Sequence, residues 1–304
     1  MLTLEKKVVG LKIDVDTERG TRVGALNLMR LLNDRGIKAT FLFSMGPDNT
    51  GRAIRRIFKP GFFKKVSRTS VVKVYGIRTL LNGLFGNGPH IGKRHGSIMR
   101  IIAENGHEVG VHCYDHNAWQ DKLATWTEAR IREEVNHAVD TFTNVFGHKP
   151  RTMGSAGWQA NKASLSAYED HSLAYASDTR GTKAFYPTIK QRTFQTLQIP
   201  TTLPTLDELI GRPEHPMDQL ISTYHIHIAK QSLNVLTIHA ELEGMAFIEW
   251  FTQFIDDSIA KGITFAPVET IANELLTQKD TLPKLPMIQG MVDGRAGTLA
   301  MHEG

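Results

Sequence analysis

The chain has 304 residues, of which 41% are hydrophobic and 22% charged, and a formal net charge of +5. This balance excludes an intrinsically disordered chain, and the single cysteine excludes a disulfide-stapled secreted module. No apolar run reaches the roughly 18 residues of a membrane-spanning helix, and the first residues lack the apolar core of a signal peptide, so we expect a cytoplasmic protein.

Predicted strands and helices alternate along the chain. In the first half, strands are predicted at 8–14, 39–44 and 108–112, and helices at 22–34, at 97–104 and from a Thr125–Glu128 capping box to 146. In the second half, strands are predicted at 173–177 and 235–239, and helices at 245–260 and 268–276. Repeated strand-then-helix units predict an α/β fold with a parallel sheet or barrel, in which functional side chains gather at the carboxyl ends of the strands.

The domain organisation follows from this alternation and from one basic segment. We expect a single domain over 1–282, an insertion at 49–96, and an irregular tail at 283–304 that is rich in Gly and Pro. Between residues 49 and 103 there are twelve Lys and Arg and no Asp or Glu, whereas the rest of the chain has 24 basic and 31 acidic residues. The net positive charge therefore belongs to one segment of an otherwise acidic protein.

Three interpretations of the basic segment remain open. Its Phe, Ile and Leu residues recur at helical spacing, which is typical of an amphipathic stretch that binds an anionic membrane surface. The same charge would also suit a nucleic acid. The third interpretation is an ordinary solvated insertion whose apolar side packs on the protein body.

Two aspartates, Asp14 and Asp16, end the first predicted strand. Side chains two residues apart on a strand point to the same face. Because two close carboxylates repel each other, such a pair must be solvated, ion-paired or bound to a metal. The alternative is two acids in a strand-end loop, the second of which caps a helix.

His112 and His116 follow the predicted strand at 108–112 with an H-x-x-x-H spacing. Two imidazoles and one carboxylate form a three-ligand face that leaves positions open for water and substrate, as a hydrolytic metal site requires. Zn, Co, Mn and Ni all accept such a face. Cys113 lies between the two histidines, and a buried thiol that packs as a small hydrophobe is favoured there over a nucleophile.

In this order, the segments D-V-D, ATFLFSMG, GHEVGVHCYDH, KPR and LTIH resemble the motifs of the NodB-type polysaccharide deacetylases, carbohydrate esterase family 4. The resemblance covers residues 7–275, with the basic segment as an insertion. It implies a distorted (β/α) barrel of the NodB-homology type with fewer than eight full units. The domain at 1–282 would then be the catalytic domain.

The resemblance also implies roles for single residues. Asp14 matches the general base of the family. The family's three ligands of one divalent metal ion correspond in this chain to Asp16, His112 and His116. The two aspartates are often adjacent in the family, whereas Val15 separates them here.

Three further residues match family positions outside the metal site. Arg151 matches the arginine that orients the general base. His239 matches the catalytic imidazole, which is the general acid, and Asp178 matches an acid that tethers this imidazole. The family motif usually has a proline two residues after the arginine, where this chain has Met153.

The motifs are most similar to those of family members that remove a formyl group from undecaprenyl-phosphate-linked 4-deoxy-4-formamido-L-arabinose. This implies a peripheral enzyme at the cytoplasmic face of the bacterial inner membrane, whose product is the 4-amino sugar for lipid A modification and polymyxin resistance. The expected partners are the polyprenyl-phosphate-linked sugar and an anionic membrane surface, and no nucleic acid. Expected contacts with substrate or membrane are Arg55, Arg56, Lys64, Lys65, Arg68 and Trp158. The alternatives are a deacetylase of another N-acetylated amino sugar or glycan, and an inactive nucleic-acid-binding protein.

Overall fold

The computed structural model describes residues 7–54, 82, 86–295 and 297–303. Its strands, in chain order, are β1 (Val8–Val15), β2 (Thr40–Phe43), β3 (Glu108–Val111), β4 (Thr152–Met153), β5 (Tyr175–Ala176), β6 (Tyr186–Ile189), β7 (Arg192–Thr193), β8 (Leu197–Gln198), β9 (Asn234–His239), β10 (Thr264–Ala266), β11 (Lys284–Gly290) and β12 (Leu299–His302). Its helices are α1 (Ala25–Asn33), α2 (Thr50–Ile54), α3 (Ile91–Glu104), α4 (His116–Lys122), α5 (Glu128–Phe146), α6 (Lys162–Asp170), α7 (Leu206–Leu209), α8 (Leu220–Lys230), α9 (Ile248–Ala260) and α10 (Val268–Leu276). Among the described residues, no helix is long and apolar enough to span a bilayer.

Strand β1 is the centre of the main sheet. It is a run of mostly β-branched and apolar residues, and every residue after Val8 is buried. On one side it pairs with β9, and on the other side with β2 near its carboxyl end and with β10 near its amino end. All these pairs are parallel, so the carboxyl ends of β1, β2 and β9 lie together.

The main sheet curls into a barrel of parallel strands. From β10 and β1 it continues through β2, β3, β4 and β5 to β8. Beyond β8, the backbone N–H groups of Thr202 and Leu203 both donate to Val235 O on β9, each at 3.1 Å, which brings the two edges of the sheet together. The predicted distorted (β/α) barrel is therefore confirmed.

Helix α5 shows how the sequence pattern and the structure agree on a buried face but differ at the helix start. Ile131, Val135 and Phe142 are buried on one side of the helix, as the spacing predicts. The predicted Thr125–Glu128 capping box is wrong, because Glu128 is itself the first helical residue. The cap is Thr127, whose side chain accepts a hydrogen bond from Arg130 N at 3.3 Å.

The predicted irregular tail is also wrong. Strand β11 pairs with β6 and with β12, and β6 pairs with β7, so these strands form a second, four-stranded sheet. The prediction missed these strands because Gly and Pro are usually depleted in strands. The side chains of β11 nevertheless alternate between more and less exposed positions along most of the strand. The end of this sheet packs on the barrel, since Ala300 O accepts a hydrogen bond from Arg180 N at 2.9 Å.

The basic segment is described only at its two ends. Helix α3 begins at Ile91, earlier than the predicted helix at 97–104. The basic residues expected to contact substrate or membrane lie outside the described residues: Arg55, Arg56, Lys64, Lys65 and Arg68.

Candidate metal centre and catalytic site

The structure brings Asp16, His112 and His116 together at the carboxyl end of the barrel. Asp16 follows β1, His112 follows β3, and His116 is the first residue of α4. The Asp16 Oδ1 atom lies 3.3 Å from His112 Nε2 and 3.4 Å from His116 Nε2. One potential ligand atom from each residue lies within 4.8 Å of the other two.

The surroundings of these side chains fit a divalent cation. The Nδ1 atom of His112 lies 2.6 Å from Gly154 O, so Nδ1 carries the proton and the Nε2 lone pair faces Asp16. Asp16 Oδ1 is buried and has no hydrogen-bond partner among the described residues. Two imidazole nitrogens and one carboxylate oxygen suit Zn, Co, Mn or Ni.

The charges of the three residues are strongly linked. Burial alone would raise the pKa of Asp16, but His116 and His112 outweigh burial and lower it, which keeps the carboxylate ionised. Burial lowers the pKa of His116 despite the attraction of Asp16. The pKa of His112 is raised because Asp14 and Asp16 outweigh its burial. A cation bound here would therefore compete with a proton on His112.

Asp14 lies beside this cluster in a desolvated position. The residue is 3% exposed, and its Oδ1 atom has no hydrogen-bond partner among the described residues. Its Oδ2 atom lies 3.5 Å from Nζ of Lys12, which is 1% exposed and donates to Ser177 O at 3.1 Å. The buried ammonium group therefore balances the charge of Asp14, while Oδ1 faces His112 Nδ1 at 3.9 Å.

The assignment of Arg151 as the arginine beside Asp14 is wrong. Arg151 precedes β4, so it lies at the amino end of the barrel, opposite Asp14. Its exposed guanidinium pairs with Glu269 and donates to Asn273 Oδ1 at 3.1 Å. Lys12 occupies the expected place of that cation. The sequence carried a signal for Lys12, because alternation along β1 puts its side chain on the same face as that of Asp14.

His239 completes the site from the neighbouring strand. It ends β9 and is the register partner of Asp14, so both side chains leave the same face of the sheet. Burial alone would lower the pKa of His239, but nearby carboxylates, with Asp16 and Asp207 first among them, raise it to about 9. The imidazole is thus protonated at neutral pH, and a divalent cation held by Asp16 would offset part of this effect.

The assignment of Asp178 as the acid that tethers His239 is also wrong. Asp178 is fully buried, and its carboxylate accepts hydrogen bonds from Ser155 N at 2.6 Å and from Gln198 Nε2 at 3.0 Å. It therefore ties together the segments around β4, β5 and β8. The acid in contact with His239 is Glu243, whose Oε2 accepts the His239 backbone N–H at 2.8 Å.

Trp158 is not the substrate surface that the sequence predicted. The residue is 2% exposed, and its indole N–H donates to Thr201 Oγ1 at 3.1 Å. Three cations surround the ring, with Arg295 Cζ at 4.3 Å, Arg180 Cζ at 5.2 Å and Lys12 Nζ at 5.5 Å from its centroid. The ring of Trp158 therefore stabilises the ammonium group of Lys12, the cation beside Asp14, through a cation–π contact.

Cys113 is a buried thiol, as expected. It is 1% exposed, and its sulfur accepts a hydrogen bond from Ala156 N at 3.2 Å. Burial raises the pKa of this thiol well above its ordinary value, so the reactive thiolate is disfavoured.

The comparisons with known proteins agree with this geometry. A family model described as "Polysaccharide deacetylase" matches residues 2–176. A protein from Shewanella sediminis (strain HAW-EB3), named as a probable 4-deoxy-4-formamido-L-arabinose-phosphoundecaprenol deformylase, is 37% identical over 96% of this chain and 93% of its own length.

This chain belongs to the polysaccharide deacetylase family. A second relative with the same printed name, from Wigglesworthia glossinidia brevipalpis, is 33% identical over 93% of this chain and 98% of its own length. A solved structure described as a polysaccharide deacetylase from Mycobacterium smegmatis aligns over 96% of this chain and 98% of its own, with a TM-score of 0.64. At 16% identity, that match supports the family fold alone.

We predict that metal binding and the free carboxylate can be separated by substitution. His112→Ala removes one ligand, so the purified variant should lose its stoichiometric divalent metal. Asp14→Asn leaves the three ligands in place and should keep the metal. Elemental analysis of both variants after the same dialysis measures this. Equal metal contents in the two variants would contradict the assignment of the ligands.

Proposed function

We propose that this polysaccharide deacetylase family member removes the formyl group from undecaprenyl-phosphate-linked 4-deoxy-4-formamido-L-arabinose with the help of one divalent metal ion. The observation that carries the proposal is the set of Asp14, Asp16, His112, His116 and His239 at one end of the barrel. Two full-length relatives named for this reaction support the choice of substrate. The product would be the 4-amino sugar used for lipid A modification, which underlies polymyxin resistance.

The ligands Asp16, His112 and His116 would hold the metal, which when bound supplies Lewis acidity toward the formyl carbonyl and lowers the pKa of water. Asp14 is the group that accepts the proton of the attacking water, because its Oδ1 is free among the described residues. The buried ammonium group of Lys12 lies 3.5 Å from Asp14 Oδ2, where it offsets the carboxylate charge and limits rotation of the side chain.

His239 supplies the proton for the departing nitrogen. C–N cleavage releases an amine, which leaves readily only when its nitrogen is protonated. The raised pKa of His239 keeps the proton on the imidazole until that step, and Glu243 fixes the end of β9 through the His239 backbone N–H. Asp14 and His239 thus divide the roles of base and acid between two neighbouring strands.

The decisive experiment is incubation of the purified protein with the lipid-linked formamido sugar, followed by detection of formate and of a new amine. The N-acetyl analogue is the control, and we expect much slower release of acetate from it. His239→Ala should slow formate release by about 10²–10⁴-fold, because the leaving nitrogen loses its proton donor. Acetate release that equals formate release would favour a deacetylase. No turnover, with tight and salt-sensitive DNA binding, would favour the nucleic-acid-binding alternative.

We predict that Lys12 acts on turnover rather than on metal content. Lys12→Met keeps the length and apolar stem of the side chain but removes the charge, so we expect kcat to fall by about 10–100-fold, the usual loss for a group that orients a side chain at a metal site. Lys12→Arg restores a cation and should recover part of the loss. Steady-state kinetics with metal analysis measure this, and wild-type kcat in Lys12→Met would contradict the role.

We also propose that the basic segment holds the enzyme on the membrane that carries its substrate. The chain enters this segment beside the metal ligands. Asp48 Oδ2 accepts the Glu18 N–H at 3.0 Å, and Asn49 Nδ2 donates to Asp115 Oδ2 at 2.6 Å, next to His116. A membrane-bound segment attached here would bring the lipid carrier close to the barrel end.

The membrane proposal predicts binding to anionic vesicles that depends on this segment and not on net charge alone. Each basic residue near the surface contributes about 1 kcal/mol, so five substitutions should weaken binding by at least about 100-fold. The test variant combines Arg55→Gln, Arg56→Gln, Lys64→Gln, Lys65→Gln and Arg68→Gln. The control makes the same change in charge at exposed lysines elsewhere: Lys149→Gln, Lys162→Gln, Lys190→Gln, Lys230→Gln and Lys261→Gln. Vesicle sedimentation compares them, and equal binding of the two variants would end the proposal.

A further inference from the structure

Glu241 contacts the segment that carries the metal ligand Asp16, although it lies far away in the sequence. It follows β9 by two residues and is 1% exposed. One of its oxygens, Oε1, accepts three hydrogen bonds, from Asp16 N at 3.1 Å, Thr17 N at 2.9 Å and Thr17 Oγ1 at 2.7 Å. The backbone N–H groups on both sides of the Asp16 Cα atom therefore bind a single carboxylate oxygen.

The chain around Glu241 is shaped to allow this contact. A Cβ atom on Gly20 would lie 1.8 Å from Glu241 Oε1, so only glycine leaves room for the carboxylate. A Cβ atom on Gly24 would lie 1.9 Å from Ala240 O, and one on Gly244 would lie 2.6 Å from Gly24 O. Glycines thus permit the segment after β1 and the segment after β9 to approach backbone to backbone.

Both of these segments are single π-helical turns. They span Gly20–Gly24 and Leu242–Ala246 and pack against each other. Such turns are rare and occur frequently at functional sites. Here one turn follows the ligand Asp16 and the other follows His239, so their packing sets the position of the metal ligand relative to the imidazole.

We propose that Glu241 is a positioning residue that fixes Asp16 in the geometry that binds the metal. The inference rests on the metal site of the proposed function but not on the identity of the sugar. Glu241 touches the backbone beside the ligand and not the cluster of ligand atoms. It acts by orientation, since three donors converge on one oxygen at a defined distance.

Two conservative substitutions separate position from charge. Glu241→Gln keeps the length of the side chain and an oxygen that can accept the same donors, whereas Glu241→Asp keeps the charge but withdraws the oxygen by one methylene. We expect Glu241→Asp to weaken Zn²⁺ affinity by about 10–100-fold, the usual loss for a group that orients a ligand. Glu241→Gln should stay within about threefold of the wild type, because the hydrogen bonds remain.

The measurement is Zn²⁺ competition with a chromophoric chelator, together with the visible absorption spectrum of the Co²⁺-loaded protein. The matched control is Glu108→Asp, which shortens another buried glutamate at the amino end of the barrel, where it contacts Tyr175. The control should keep wild-type affinity and spectrum. Because neither readout needs a sugar substrate, failure of the deformylation assay leaves this test intact.

Three outcomes would overturn the proposal. Glu241→Asp could bind Zn²⁺ as tightly as the wild type with an unchanged Co²⁺ spectrum. Glu241→Gln could lose affinity while Glu241→Asp keeps it, which would show that charge and not position matters. Glu108→Asp could weaken Zn²⁺ binding as much as Glu241→Asp does, which would trace the loss to general destabilisation.

Discussion

The burial of several carboxyl groups at the ends of two neighbouring strands is the constraint on which the site depends. Asp14, Glu241 and Glu243 are each no more than 3% exposed, and Glu241 accepts the backbone N–H of Asp16. Buried carboxylates require positive partners or protons. Lys12 is the positive partner of Asp14, and the raised pKa of His239 places a second positive charge near the carboxyl groups. Asp16 faces two imidazole nitrogens, and these three groups suit a metal cation. The placement of charge at this end of the barrel therefore favours the binding of a metal cation.

The fold meets this constraint with two adjacent strands. Parallel pairing of β1 with β9 puts Asp14 and His239 in register, and the π-helical turns that follow the two strands pack through glycines. Each side chain is thus fixed by the sheet and by a second contact behind it. A polysaccharide deacetylase barrel with short strands, such as β4 with two residues, can therefore still bring these side chains together.

Much of the barrel and the metal triad could be predicted from the sequence, because both depend on local patterns. Apolar runs rich in β-branched residues predicted β1 and β9, and the H-x-x-x-H spacing predicted that His112 and His116 lie together. Arg151 and Asp178 could not be placed by spacing, since their partners depend on which end of a strand they occupy and on contacts over long sequence distances. Lys12 was missed because a lysine in an apolar strand is usually an exposed residue.

The tail shows why composition alone misplaced part of the molecule. Gly and Pro indicate irregular chain when they break local pairing, but β11 is stabilised by β6, which lies far earlier in the sequence, and by β12 at the end of the tail. After β11, the chain brings Arg295 over Trp158 and within 3.5 Å of the Asp207 carboxylate, one of the groups that raise the pKa of His239. The tail thus places the positive charge of Arg295 next to Asp207, at the edge of the site. The barrel strands provide the groups for hydrolysis, and the segments added to them determine the surroundings of those groups.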